Sequence, residues 1–163
     1  MHVLVWIVEG TWPACVDAAR DLVPAEADCT LLHVTGDEIA VAAHGAFAGM
    51  LGRQHSHDRD PGTHVESLSA TAAADVLAAA ADRLGRPAVR TERHGRVERE
   101  VIAAAIGADL LICARDGDRT RLGPHSLAPP TRFVVDHAPC RVLLVWPESV
   151  PGLDSIPPPP PHH

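Results

Sequence analysis

Apolar residues in this chain gather into five short runs separated by stretches of helical spacing. His2-Val-Leu-Val-Trp-Ile-Val8 is nearly continuous, the pattern of a strand covered on both faces of a parallel sheet. Cys29 to Val34 and Leu110 to Ala114 repeat it, Val89 to Arg93 is a weaker version, and Arg141 to Trp146 is the last. Between the first two runs, Trp12 to Val23 places Val16, Ala19, Leu22 and Val23 on one helical stripe, and Pro24 stops it. Thr63-His-Val-Glu66 fits a capping box that opens a helix carrying Leu68, Ala72, Val76, Ala80 and Leu84, with Gly85 and Pro87 ending it. Gly95 to Ile106 predicts a further helix with Val97, Val101 and Ala105 along one face. A short helix before the last strand is halted by His137-Ala138-Pro139-Cys140. Strands that alternate with helices imply βαβ units, a parallel sheet and right-handed crossovers, here as one three-layer α/β/α domain over residues 1–148.

Two segments stand apart. The connection from Thr35 to Pro87 is long and contains an insertion at about residues 38–62. Glu38 to Leu51 is Ala-rich and expected to be helical despite Gly45 and Gly49; Arg53 to Gly62 is polar and loop-like. Residues 149–163 hold the run Pro157 to Pro161, which prefers polyproline II and is expected to form a disordered tail.

Composition narrows the function classes. With 46% apolar residues and a mean hydropathy near zero the chain reads as a soluble globular protein, and its longest apolar runs are too short to span a membrane. Met1 leads directly into the first strand, without a basic region or a cleavage site, so a cytoplasmic location is expected. A net charge of −7 argues against broad nucleic-acid binding. All 14 basic residues are Arg, a bias that a GC-rich genome explains and that carries no functional weight. Cys15, Cys29, Cys113 and Cys140 form no Cys-x-x-Cys pair and read as free thiols.

No spacing supports a Ser-His-Asp or paired-carboxylate arrangement, so no catalytic residue is assigned. His55-Ser-His57, with His44 and His64 near by, lies in the polar insertion and reads as solvated rather than as a metal site. His33 falls at the carboxyl end of a strand, where α/β folds bind ligands. Trp6 and Trp146 read as core or interface fillers.

Four pieces of sequence, in order, resemble the universal stress protein family. Glu9-Gly10-Thr11 stands where that family has Asp-Gly-Ser. Gly95, with Val97 and Val101, resembles the glycine before its fourth-strand helix, and Ala108-Asp109-Leu110-Leu111-Ile112 resembles its Ala-Asp-Leu-Ile-Val strand. His137-Ala138-Pro139-Cys140, followed by Val142-Leu-Leu-Val145, resembles its His-Ala-Pro-Cys-Pro-Val-Leu-Val-Val signature. The match runs over about residues 2–147. It implies a Rossmann-like, adenine nucleotide alpha hydrolase-like fold with strand order 3-2-1-4-5. It also implies a homodimer formed through the last strand, Arg141, Val142, Leu143, Leu144, Val145 and Trp146.

The resemblance further implies a loop after the fourth strand of the form Gly-x-x-Gly, nine residues, then Gly-Ser or Gly-Thr, holding the phosphates of ATP or AMP on backbone amides and a helix N-terminus. Ala114 and Gly117 align with the first two glycines. Ten residues then lead to Ala128 in place of the third, and Pro129 replaces the Ser or Thr. Only one glycine of three remains, and Pro129 and Pro130 lack N–H donors. Arg115, Arg119 and Arg121 could clamp phosphate instead, with Gly123 for a turn and Ser126 or Thr131 for a hydroxyl. Equally, Arg115 to Arg119 reads as a solvated loop whose charges pair with one another. Glu9, Gly10, Thr11 and His33 complete the candidate nucleotide site. Three readings stay open: a non-enzymatic dimeric stress-response protein with weak, altered or absent nucleotide binding; a nucleotide-dependent switch, at most a slow ATPase; and a module that docks a protein partner through the insertion.

Overall fold

The computed structural model describes residues 1–37 and 61–161, the side chains of residues 61–66 excepted. The helix expected over Glu38 to Leu51, residues 53–60 of the polar loop after it, and the histidines at 44, 55 and 57 lie outside the described residues, as do His162 and His163. Pro61 and Gly62, expected to be loop, open a helix instead, since Pro suits a first helical turn. The chain runs β1 (His2–Trp6), α1 (Trp12–Leu22), β2 (Asp28–Gly36), α2 (Pro61–Leu84), β3 (Val89–Gly95), α3 (Val97–Ala105), β4 (Leu110–Ala114), α4 (Pro129–His137) and β5 (Arg141–Val145). Single 3-10 turns sit at Pro124–Ser126 and Leu153–Ser155.

The five strands form one parallel sheet in the order β3-β2-β1-β4-β5. The continuous apolar run of β1 is explained by helices on both faces: Val3, Val5 and Ile7 pack under α1 and α2, while Leu4 and Trp6 pack under α3 and α4. The order reverses direction between β1 and β4, so the loops that follow these two strands diverge at the carboxyl edge of the sheet, the usual place for a ligand crevice.

The helices refine the expected faces. In α1 the buried stripe is Cys15, Val16 and Ala19, continued by Val23, whereas Leu22 is largely exposed. Pro24 ends α1 as expected, and the Arg86 guanidinium caps the end, donating to the carbonyls of Pro24 (2.7 Å) and Ala19 (3.3 Å). In α2 the buried residues are Ala73, Leu77, Ala80 and Leu84, while Leu68 is exposed. Strict steps of four advance a stripe by about 40° per step on a 3.6-residue helix, so the set Leu68, Ala72, Val76, Ala80 and Leu84 winds off the sheet; alternating steps of four and three stay on it. The helix also begins at Pro61, two residues before the expected capping box, so Thr63 lies inside the first turn. In α3 the predicted face holds, with Val101 and Ala105 buried and Val97 packed beside them, although the helix starts at Val97 rather than at Gly95. Gly95 ends β3 with a φ of +140°, a conformation that side-chain-bearing residues avoid.

The two edges of the sheet differ. On β3, Arg90, Glu92, Arg93 and His94 alternate along the strand, with His94 paired to Glu92 and Arg93 to Glu100. On β5, Val142 and Leu144 pack on one core cluster and Leu143 and Val145 on the other, all half-buried. Residues 149–163 were expected to form a disordered tail; within them Leu153–Ser155 makes a turn, closed by a hydrogen bond from Ser155 Oγ to the Gly152 carbonyl. Among the described residues no helix is long and apolar enough to cross a membrane.

Candidate functional site

The loop after β4 is built on its own backbone. The Arg115 N–H donates to Val145 O (2.9 Å), which ties the loop's start to β5. Two further bonds, Gly117 N–H to Ser126 O and Asp118 N–H to His125 O, both 2.8 Å, fold residues 117–126 into a closed hairpin-like turn. Gly117 is needed for this closure: a Cβ there would press into the His125 carbonyl oxygen and crowd the carbonyl carbons of Ser126 and Leu127. Gly123, with a φ of +127°, makes the turn at the far end.

The α4 N-terminus is already occupied. Its first two positions are Pro129 and Pro130, which offer no N–H, and the residue before them, Ala128, has no side chain able to cap. The cap comes instead from Asp116. One of its carboxylate oxygens accepts the Ala128 N–H (2.9 Å) and the other accepts the hydroxyl of buried Thr131 (2.7 Å). A carboxylate thus sits where a helix N-terminus would attract a phosphate. Thr131, expected to offer a substitute hydroxyl to phosphate, donates it inward to Asp116.

The loop's arginines are likewise engaged. Arg115 donates to Ser126 Oγ and lies over the Trp146 ring, 4.7 Å from its centroid. Arg121 Nε donates to Asp118 Oδ2 (3.1 Å), and the Arg119 guanidinium faces Glu148 at 3.7 Å. The Thr120 side chain and backbone N–H, then Arg121, hold the Asp118 carboxyl down to about 2. Two donors of this loop remain unused: Arg115 Nε and Arg119 Nη1 are buried without a partner among the described residues.

The remaining candidates share the carboxyl edge but not one cluster. Ala114 ends β4, buried in the core. Gly10, with a φ of +86°, turns the chain after β1, Glu9 beside it is exposed, and the buried Thr11 has its N–H on the Val8 carbonyl. His33 Nδ1 lies 2.9 Å from the Ile7 carbonyl and donates to it, which pins the ring to the end of β1. A groove of about 840 Å³ lies to one side between the ends of β2 and β3 and the first turns of α3 and α4. Asp37, Arg96, Glu98, Pro129, Pro130 and Phe133 line it together with Gly36, Gly95 and Val97. It borders the end of the described chain at Asp37 and includes none of the loop residues 114–123. The loop's chemistry therefore outweighs the groove's size in placing the site. Among the described residues no group of three metal-ligating side chains occurs.

Asp116 was missed by reading the sequence. The one signal available was negative: an Ala-Pro-Pro helix start has no cap of its own, so a cap must come from elsewhere in the fold.

A parallel sheet ordered 3-2-1-4-5, with helices on both faces and a glycine-bearing loop at the switch point, defines a Rossmann-like α/β protein. The universal stress protein family model matches residues 9–145, and the chain belongs to that family. No curated protein matches its sequence. Solved structures give the fold. The universal stress protein UspA from Lactobacillus plantarum is 20% identical, with 89% of this chain and 97% of that one covered and a TM-score of 0.59. A universal stress protein in complex with cAMP is 14% identical over 91% and 98% of the two chains, with a TM-score of 0.59. A family protein from Arabidopsis thaliana with AMP bound is 14% identical over 96% of each, with a TM-score of 0.53.

Proposed function

We propose that this chain is a non-enzymatic, cytoplasmic stress-response protein that acts as a homodimer and whose nucleotide binding is weak, altered or absent. The observation that carries the second part is the position of Asp116. Its carboxylate takes the Ala128 amide and the Thr131 hydroxyl, so an incoming phosphate meets a like charge at the helix end. The loop's cations add to this, since Arg119 and Arg121 face Glu148 and Asp118. The dimer is supported by the contrast between the sheet edges, one strand laced with charge and the other, β5, apolar.

A second reading, a switch driven by ATP or AMP, draws on the structural neighbours crystallised with cAMP and AMP and on three arginines in one loop. Calorimetric titration separates the two. No saturable heat with millimolar ATP or AMP is expected. Submillimolar binding that disappears in the Arg119→Ala, Arg121→Ala double variant would establish the switch instead. For the dimer, sedimentation over a hundredfold concentration range is expected to give twice the chain mass, and a single-chain mass throughout would reject it.

A further inference from the structure

The segment after β5 makes its contacts with the β4–α4 loop. Glu148 faces Arg119 at 3.7 Å. Seven residues on, the Leu122 N–H donates to Ser155 Oγ at 3.0 Å, and that hydroxyl is itself fixed by its bond to Gly152 O. Trp146, at the root of the segment, carries the Arg115 guanidinium on its ring. The chain from Trp146 to Ser155 therefore touches the loop at its start, its middle and its far turn, through Arg115, Arg119 and Leu122.

The segment's large aliphatic side chains do not anchor it. Val150, Leu153 and Ile156 are each more than half exposed, at 59%, 79% and 54%. Its polar hold on the loop is one hydrogen bond and one loose ion pair, each weak and partly solvated. An element ordered by a few polar contacts, with no buried side chain to anchor it, detaches at little cost compared with a core element. What it covers retains spare capacity, because Arg119 Nη1 is buried without a partner next to the nitrogen that faces Glu148.

We propose that residues 147–156 form a detachable strap over the β4–α4 loop, and that its release frees Arg119 and loosens the turn at Leu122 so that the loop accepts a multiply charged phosphate anion. This rests on the reading of the loop as closed by carboxylates; release removes Glu148 from Arg119 while Asp116 and Asp118 keep their partners, so the anion would be taken at Arg119 and not at the α4 N-terminus. Glu148 acts as a tethered competitor for Arg119, at the high effective concentration of a group on the same chain. The exposed stripe at Val150, Leu153 and Ile156 gives a handle by which the strap can be drawn off without disturbing the sheet.

The test compares the full chain with a chain ending at Pro147, and with a full-length Glu148→Gln, Ser155→Ala double variant that alters only the two contacts. Amide hydrogen exchange at Leu122 reads the strap, and calorimetric titration with inorganic pyrophosphate reads the loop. Leu122 is expected to exchange at least tenfold faster in both altered chains, and pyrophosphate affinity to rise at least tenfold. Unchanged exchange at Leu122 would overturn the strap. Faster exchange with unchanged pyrophosphate affinity would overturn its gating role while leaving the closed-loop reading intact. Tight ATP binding by the full chain would instead overturn the closed-loop reading, and the strap would stand only if its removal still tightened pyrophosphate binding.

Discussion

Asp116 and Thr131, fifteen residues apart in sequence, are joined by a 2.7 Å hydrogen bond from the Thr131 hydroxyl to the Asp116 carboxylate, and the other oxygen of that carboxylate takes the Ala128 amide. This pair does for α4 what a capping box does within a single helix start, with the acid supplied from across a loop. Asp116→Ala leaves the Ala128 amide and the Thr131 hydroxyl without their acceptor. We expect a loss of about 1–2 kcal/mol in urea unfolding. Asp116→Asn, which retains one acceptor oxygen, is expected to lose less. Equal losses in the two variants would mean that the negative charge, rather than the hydrogen bonds, carries the stabilisation.

Gly117 tests why this loop keeps a glycine. If the residue serves loop closure, Gly117→Ala forces apart the 117–126 and 118–125 hydrogen bonds, because the new methyl group meets backbone rather than a yielding side chain. A cost of about 1–3 kcal/mol, the range of an overpacked site, is expected in thermal or urea unfolding. A neutral substitution would mean that the turn has room the geometry denies.

Asp118 gives a pH signature. Its carboxyl is depressed from an ordinary 3.8 to about 2 by Thr120 first and Arg121 after it. A depressed folded-state value means that the pairing is fully in force above the ordinary value and is lost as pH falls through about 2. A carbon-detected NMR titration of the folded chain is expected to place the Asp118 midpoint near 2. A midpoint near the ordinary value would show that the hydrogen bonds around Asp118 do not persist in solution.

The thiols give a reactivity signature. Burial pushes both Cys15 and Cys113 up to about 12, so neither forms appreciable thiolate near neutral pH, and Cys29 is buried as well. Cys140, only partly buried, is also raised by desolvation, though it is the one thiol within reach of solvent. Iodoacetamide at pH 8 is expected to label Cys140 alone and slowly, with the other three reacting only in denaturant. Rapid labelling of Cys15 in the native chain would contradict the packing of α1 on the sheet.

The fold was legible in the sequence because buried parallel strands read as unbroken apolar runs, and the β1 and β4 segments stand out against their neighbours. Helix faces were less legible where alanine dominates. In α2, Ala72 and Ala73 are equivalent by type, and only alternation between steps of three and four puts Ala73 under the sheet. Leu22 misled for a related reason: hydrophobicity suggested burial at a position that helical geometry turns outward. In the candidate site, the departure from the phosphate-binding pattern at Ala128 and Pro129 was visible, but its replacement was not. Asp116 meets its partners 12 and 15 residues later only after the loop has folded, and no local periodicity encodes such a meeting.

The unlike margins of the sheet give it a direction of growth. A strand brought to β3 meets Arg90, Glu92, Arg93 and His94, with His94 beside Glu92, and must strip water from those charges before it gains a ladder. A strand brought to β5 meets half-buried aliphatic side chains already shared with both core clusters. Lateral addition therefore has a single address. If two copies meet there through a twofold axis, as proposed above, the margins left outward are the two β3 strands, and such an assembly would close at two rather than propagate into a filament.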